Sequence, residues 1–317
     1  MATDENLLGT RGLLPLCARR RIYWMHGYIQ AMPEHEFVLW VIGAHAADRG
    51  KFVYELPSNV VATTDLTQTL DGAEAVIFAV PSTHLRSVCH QAAPFIAADT
   101  PVLCLTKGIE PDSGLLMSEV IASEIGNEAR VAALSGPNHA EEICRGGLSA
   151  AVIASKDPQV GETFKDLLLS TAFRIYLSQD MTGVEVCGAM KNVIAIVCGI
   201  SAGSGAGDNT LALIMTRGLA EISRLVHARG GQAMTCMGLA GMGDLIATCT
   251  SEHSRNRTFW LRVCPRRVTR RVPGTHAHGG RGCRCGPQRR RTRPFTGRRH
   301  SAHLCRGANA LQRCYFG

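Results

Sequence analysis

Five short β-type runs constrain the fold of this chain more than any other feature of it. Residues 75–80 (AVIFAV) are apolar without interruption, the pattern of a strand covered on both faces. Residues 102–106 (VLCLT), 131–134 (VAAL), 150–154 (AAVIA) and, with Arg174 inside it, 173–177 (FRIYL) repeat it, and Pro, Gly or Ser stands within two residues after each run. With amphipathic segments between them, such runs are the units of a parallel sheet, whose carboxyl-end loops form the ligand edge of an open α/β fold. After Asp180 the strand signal stops. Residues 184–200 are apolar almost all round, which predicts a buried helix. Over residues 208–228, Leu211, Ile214, Leu219 and Ile222 recur at the spacing of one helical face, with Asp208 as cap and Gly230 and Gly231 as terminators. The organisation is therefore α/β over residues 1–180 and all-α over 181–260.

Residues 261–317 follow neither pattern. They hold 15 Arg, no Lys and no Asp or Glu, and they lack the apolar surface to offset chain entropy, so disorder is predicted. The overall charge of +8 comes from this tail, because the first 260 residues keep 19 basic and all 26 acidic side chains. A nucleic-acid reading thus rests on the tail alone, as an Arg-rich arm with salt-dependent binding, and no nucleic-acid partner is expected of the body. His276, His278, Cys283 and Cys285 are spaced too tightly for a zinc finger or ribbon, and no metal is expected. Eight of the 13 Cys lie in the body, mostly within apolar stretches, as buried free thiols of a reducing compartment do. The longest apolar run, 186–202, is broken by Lys191 and Asn192, so no membrane span is expected. Leu13, Leu14 and Leu16 precede Arg19, Arg20 and Arg21, the wrong order for a secretory signal, and a cytoplasmic location follows.

Three constellations carry chemistry. Lys191 sits in the apolar helix, where burial costs several kcal/mol unless the ammonium is paired, and where desolvation lowers its pKa. Cys187, Gly188 and Ala195 beside it on the helix leave room for a ligand; a structural pairing with Glu185 is the alternative. Residues 238–244 (GLAGMGD) set three glycines around one carboxylate, either for close approach to a ligand or for a tight turn with Asp244 as a helix cap. Ser254, Arg255 and Asn256 offer a hydroxyl, a guanidinium fork and an amide in succession, a set that suits phosphate and hydroxyl groups or else a solvated loop. The strand-end loops at residues 106–108 (TKG) and 135–138 (SGPN) are equally open.

In their order, these segments resemble the NAD(P)-dependent glycerol-3-phosphate dehydrogenases of the bacterial type. The resemblance is carried by AVIFAVPS (75–82), LTKGIEP (105–111), LSGPNHAEE (134–142), GVEVCGAMKNVIAIVCGISAGSGAGDN (183–209), TRGLAEISRL (216–225) and MGLAGMGDLIATCTSEHSRNR (237–257). It implies a Rossmann-like parallel sheet followed by an all-α domain. It also implies interconversion of sn-glycerol 3-phosphate and dihydroxyacetone phosphate with NAD or NADP, for glycerophospholipid synthesis; the oligomeric state is open, with a homodimer as the candidate assembly. By the same resemblance Lys191 is the general acid/base and touches the substrate. Lys107, Gly136, Asn138, Asp244, Ser254, Arg255 and Asn256 fall on substrate-contact positions, and Lys107, Ala140 and Arg255 on cofactor contacts. Position 138 is more often Ser or Thr in the family, and Asn138 keeps a polar group there.

Both ends depart from the family. The family begins with a strand and a Gly-x-Gly-x-x-Gly turn that holds the cofactor pyrophosphate, and this chain has no such turn. Gly9 and Gly12 give a fragment, residues 41–44 lack the later glycines, residues 35–40 are similar to the second strand, and 1–33 are unrelated. Residues 261–317 stand where the family has further helices and an acidic loop. Both ends read as altered reading frames of such a gene. Losing the pyrophosphate cradle removes several charge-assisted hydrogen bonds of roughly 1.5–3 kcal/mol each. Rossmann dehydrogenases of 3-hydroxy acids or 6-phosphogluconate share the fold and an analogous Lys; the pairing of GMGD (241–244) with SRNR (254–257) points to the glycerol phosphate family instead.

Overall fold

The computed structural model describes residues 11–16, 36–41, 58–143, 145–251 and Ser254. These build an eight-stranded sheet in the order β3-β2-β1-β4-β5-β6-β7-β8. The strands are β1 Arg11–Leu16, β2 Glu36–Val41, β3 Val60–Thr63, β4 Ala75–Phe78, β5 Val102–Cys104, β6 Val131–Ser135, β7 Ser149–Ser155 and β8 Phe173–Ser178. The first six are parallel and ordered 3-2-1-4-5-6, the Rossmann order, with the switch point between β1 and β4.

All five runs read from sequence are strands, yet the sheet is not wholly parallel. β7 runs antiparallel to β6, from Ala132↔Ser155 to Ser135↔Val152, and β8 runs parallel to β7. The run in β7 is apolar without alternation, so its pattern carries no direction. By contrast β8 alternates buried Phe173 and Ile175 with exposed Arg174 and Tyr176 and is not covered on both faces as expected, because it is the edge strand. The central strand β1 went unread because Gly12 and Pro15 dilute its strand signal. It pairs with all six residues of β2 and with β4 at Gly12↔Ala75 and Leu13↔Val76.

Eight α-helices are described: α1 Leu66–Leu70, α2 Ser82–Ala92, α3 Met117–Ile125, α4 Ala140–Ile143, α5 Pro158–Leu168, α6 Met181–Gly203, α7 Asp208–Ala228 and α8 Asp244–Thr250. Alternate residues of β4 explain its unbroken apolarity. Ala75 and Ile77 join a cluster with Leu134, Phe164 and Phe173, while Val76 and Phe78 face Leu85, Val120 and Ile121 of α2 and α3.

The helices after β8 form a third cluster, with Val186, Cys187, Ile194 and Cys198 of α6 against Ile214, Leu219 and Ile222 of α7 and Leu245 of α8. By length and composition α6 could cross a membrane, contrary to the expectation from Lys191 and Asn192, but half of its apolar window is buried inside this cluster and against the sheet. Asp180 caps α6 by accepting from Gly183 N at 2.9 Å, and its other oxygen accepts from Gln232 N at 2.9 Å and from the Thr235 hydroxyl. At α7 the cap is Gly207 and not Asp208, which is the first helical residue, where its charge complements the helix dipole. Gly230, at φ 83°, turns the chain out of α7. Cys89, Cys104, Cys187, Cys198, Cys236 and Cys249 are buried thiols outside any disulfide. The tail 261–317, with His276, His278, Cys283 and Cys285, lies outside the described residues.

Candidate active site

The carboxyl ends of β5 and β6 open onto one face of α6. The loop after β5 begins with Leu105, whose N–H donates to Phe78 O at 2.8 Å, and Thr106, whose hydroxyl donates to Val80 O at 2.5 Å. Lys107 follows and extends under α6. From β6, Ser135 and Gly136 reach the same place. Helix α6 approaches closely because residue 188 is glycine: a Cβ there would stand 2.7 Å from Ser135 Oγ and 3.5 Å from Lys107 Cδ. One turn further along, Lys191 points into the gap.

Asp244 closes the site from the start of α8. Its Oδ2 accepts from Lys107 Nζ at 2.6 Å and from Ser135 Oγ at 3.4 Å, while Oδ1 accepts from Lys191 Nζ. Thr248, one helical turn on, donates to the Asp244 carbonyl at 2.6 Å. Lys107 Nζ also lies 3.4 Å from Gly136 O. Asp244 is 2% exposed and Lys191 8%. Two ammonium groups around one carboxylate leave a centre with surplus positive charge, suited to an anionic ligand.

Burial and the neighbouring Lys107 charge push the Lys191 ammonium down to about 7, against the opposing pull of Asp244. Burial would raise the Asp244 carboxyl, but Lys107 and Lys191 hold it below the ordinary range, so it stays a carboxylate. The site therefore couples a permanent anion to an amine that gains and loses its proton near neutrality, the property of a general acid/base.

Lys191 does not pair with Glu185, the alternative open in the sequence. Glu185 accepts from Ser118 N at 2.9 Å and from the Ser118 hydroxyl, at the start of α3. Nor does Asp244 cap a helix; Gly243 is the N-cap residue and the carboxylate is given to the lysines. Lys107, Gly136, Lys191 and Asp244 are thus brought together. Asn138 is half-buried two residues beyond Gly136, Ala140 begins α4, and Ser254 is buried beyond α8. Arg255 and Asn256 lie outside the described residues. Ser135 belongs to the strand-end loop left open in the sequence, while two participants were not singled out there: Thr248, and His139, whose Nε2 lies 3.3 Å from Ala247 O and ties the β6 loop to α8. Thr248 had a signal, since four residues after Asp244 it shares its helical face. Among the described residues no group of His, Cys, Asp and Glu could hold a metal ion.

A Rossmann-ordered sheet with a neutral-range lysine at its carboxyl edge defines a class, the Rossmann-type dehydrogenases. Comparison with known proteins narrows it. Residues 41–161 match the family described as NAD-dependent glycerol-3-phosphate dehydrogenase N-terminus, and residues 180–269 its C-terminus. A glycerol-3-phosphate dehydrogenase [NAD(P)+] of Bacillus velezensis is 42% identical over 233 residues, 70% of this chain and 68% of that protein. One of Syntrophomonas wolfei is 46% identical over 204 residues, 64% of this chain and 60% of that protein. The crystal structure of glycerol-3-phosphate dehydrogenase from Coxiella burnetii superposes with TM-score 0.75 at 34% identity, over 81% of this chain and 80% of that one. The chain belongs to the NAD-dependent glycerol-3-phosphate dehydrogenase family. It spans about 60% of the length of the first three curated relatives that it matches.

Proposed function

We propose that the chain interconverts sn-glycerol 3-phosphate and dihydroxyacetone phosphate with NAD or NADP, in the cytoplasm and toward glycerophospholipid synthesis. The observation that supports this most is the Lys107–Asp244–Lys191 cluster at the carboxyl edge of the sheet. In reduction, protonated Lys191 donates to the carbonyl oxygen as the alkoxide charge develops, and in oxidation the neutral amine takes that proton back. Asp244 keeps Lys191 oriented and retains its own charge throughout. Lys107, Gly136, Asn138, Ser254, Arg255 and Asn256 would bind the substrate, with the lysine ammonium and arginine fork matched to phosphate.

The switch point between β1 and β4 fits a dinucleotide, with Lys107, Ala140 and Arg255 as contacts, and the nicotinamide would supply or accept the hydride. The pyrophosphate end fits less well, because β1 is followed in sequence by Cys17, Ala18, Arg19, Arg20 and Arg21 in place of glycines. Weaker cofactor binding than in relatives with the glycine-rich turn is the consequence. Residues 1–180 would carry the cofactor and 181–260 the substrate machinery, with a homodimer as the assembly.

The test is oxidation of NADH and NADPH by the purified full chain, with and without dihydroxyacetone phosphate, beside Lys191→Ala. Substrate-dependent oxidation that disappears in the variant supports the proposal. A folded wild-type chain that oxidises neither cofactor, or oxidation indifferent to Lys191, refutes it. A panel of 3-hydroxy acids and 6-phosphogluconate separates the other Rossmann dehydrogenases.

A further inference from the structure

The loop that presents Lys107 is held at both ends. Its front is fixed by the bonds of Leu105 and Thr106 to β4 and the residues after it. Its back is fixed by a side chain from another helix. Arg86 of α2 grips Glu110 with two parallel bonds, Nε to Oε1 at 2.8 Å and an η nitrogen to Oε2 at 2.7 Å. The remaining η nitrogen donates to Glu124 of α3 at 2.6 Å and to Ser123 at 3.0 Å. Glu110 also accepts from Ser113 Oγ at 2.6 Å. Between the two anchors lie Lys107, Gly108 and Ile109. A Cβ on Gly108 would stand 3.0 Å from Ser82 Cβ, so the loop rests on the first turn of α2, the helix that carries Arg86.

We propose that Arg86 is a positioning residue for Lys107: by locking Glu110 it fixes the loop backbone from which the lysine reaches Asp244. Two features favour this over a plain helix-to-helix tie. The bidentate half of the fork goes to the loop, and only the third nitrogen goes to α3. Glu110 is also bonded through its backbone, its N–H donating to Leu115 O at 2.8 Å and its carbonyl accepting from Gly114 N at 3.0 Å. Gripping Glu110 therefore holds the chain on both sides of it. A bidentate guanidinium–carboxylate pair resists rotation in a way that a single ammonium contact cannot.

The kinetic test rests on the proposed dehydrogenase activity, and a second readout does not. Arg86→Met and Glu110→Gln should each raise KM for dihydroxyacetone phosphate about tenfold with kcat nearly unchanged, and Arg86→Lys should lie between them and the wild type. A merely structural role lowers the active fraction, which scales kcat at constant KM; that pattern overturns the proposal. Amide hydrogen exchange needs no turnover. In Arg86→Met the amides of residues 107–110 should exchange about tenfold faster while those of β5 and α3 stay slow, and uniform loosening overturns the proposal. If Arg86→Met does not fold, Glu110→Gln carries both readouts, since it leaves Arg86 paired with Glu124. A folded wild-type chain without activity refutes the functional reading, and the exchange result still decides the role of Arg86.

Discussion

Replacing Glu185 by Gln should change how stability depends on pH, in a direction that tests the placement of Lys191. Glu185 is 7% exposed, lies on α6, and accepts from Ser118 N and Oγ at the start of α3. Burial pushes its carboxyl from 4.5 up to about 7, and the Ser118 bonds oppose this only in part. Between those two values the folded state keeps a proton that the unfolded chain has released. Wild-type stability therefore falls as pH rises through this window, and the loss is complete above about 7. At about 1.4 kcal/mol per pKa unit the loss is roughly 3 kcal/mol. The amide of Gln can accept from Ser118 N and donate to Ser118 Oγ, and it has no proton to lose. Urea unfolding of both proteins from pH 4 to 8 measures the difference, in which other titrating groups cancel. The variant should gain on the wild type by roughly 3 kcal/mol across that range. A constant difference would refute the burial argument. A difference that runs the opposite way would mean that Glu185 is ion-paired, as in the Lys191–Glu185 alternative.

Asp244→Asn leaves Lys107 and Lys191 facing each other around a neutral amide; it should cost about 3–5 kcal/mol in urea unfolding at pH 7 and abolish substrate-dependent NADH oxidation, and a cost under about 1 kcal/mol would refute the central place of this carboxylate. Because Lys191 titrates at about 7, the reduction rate should fall as pH rises through that value while the oxidation rate rises, and parallel pH–rate profiles in the two directions would remove Lys191 as the acid/base. Gly188→Ala puts a Cβ 2.7 Å from Ser135 Oγ and forces α6 off β6, so thermal unfolding should show a loss of about 1–3 kcal/mol; an unshifted midpoint would contradict the close approach.

The parts of this fold that could be read from sequence are those in which the solvent boundary or its absence writes a period. Helix α7 coincides with the predicted 208–228 because one face is wet, and β4 to β8 all fall on the predicted runs. Strand direction was lost because an unbroken apolar run such as residues 150–154 carries no period, and β1 was lost because Gly12 and Pro15 interrupt its strand-forming residues. Lys191 announced itself as a cation inside an apolar helix, but its partner did not. Glu185 is the nearby acid in the same helix, six residues away, yet that spacing turns it about 120° from the face of Lys191, toward α3.

The site follows from the same geometry. An apolar helix can pass between a sheet and two other helices only if it is uncharged or if its charge is met by something equally buried. Asp244 meets Lys191 from 53 positions along the chain, and Lys107 meets Asp244 from 137, separations at which sequence pattern carries no record of contact. What the sequence can record is the permission for that meeting: glycine at 188 where α6 presses on Ser135, and glycine at 241 where a Cβ would meet the backbone of Cys236 as the chain folds back before the carboxylate. Read alone, those glycines serve a turn as well as a ligand. The turn they make delivers to Lys191 the acid Asp244, whose pull opposes burial and keeps the amine's titration near neutrality, so the structural and the chemical roles of residues 238–244 are one requirement.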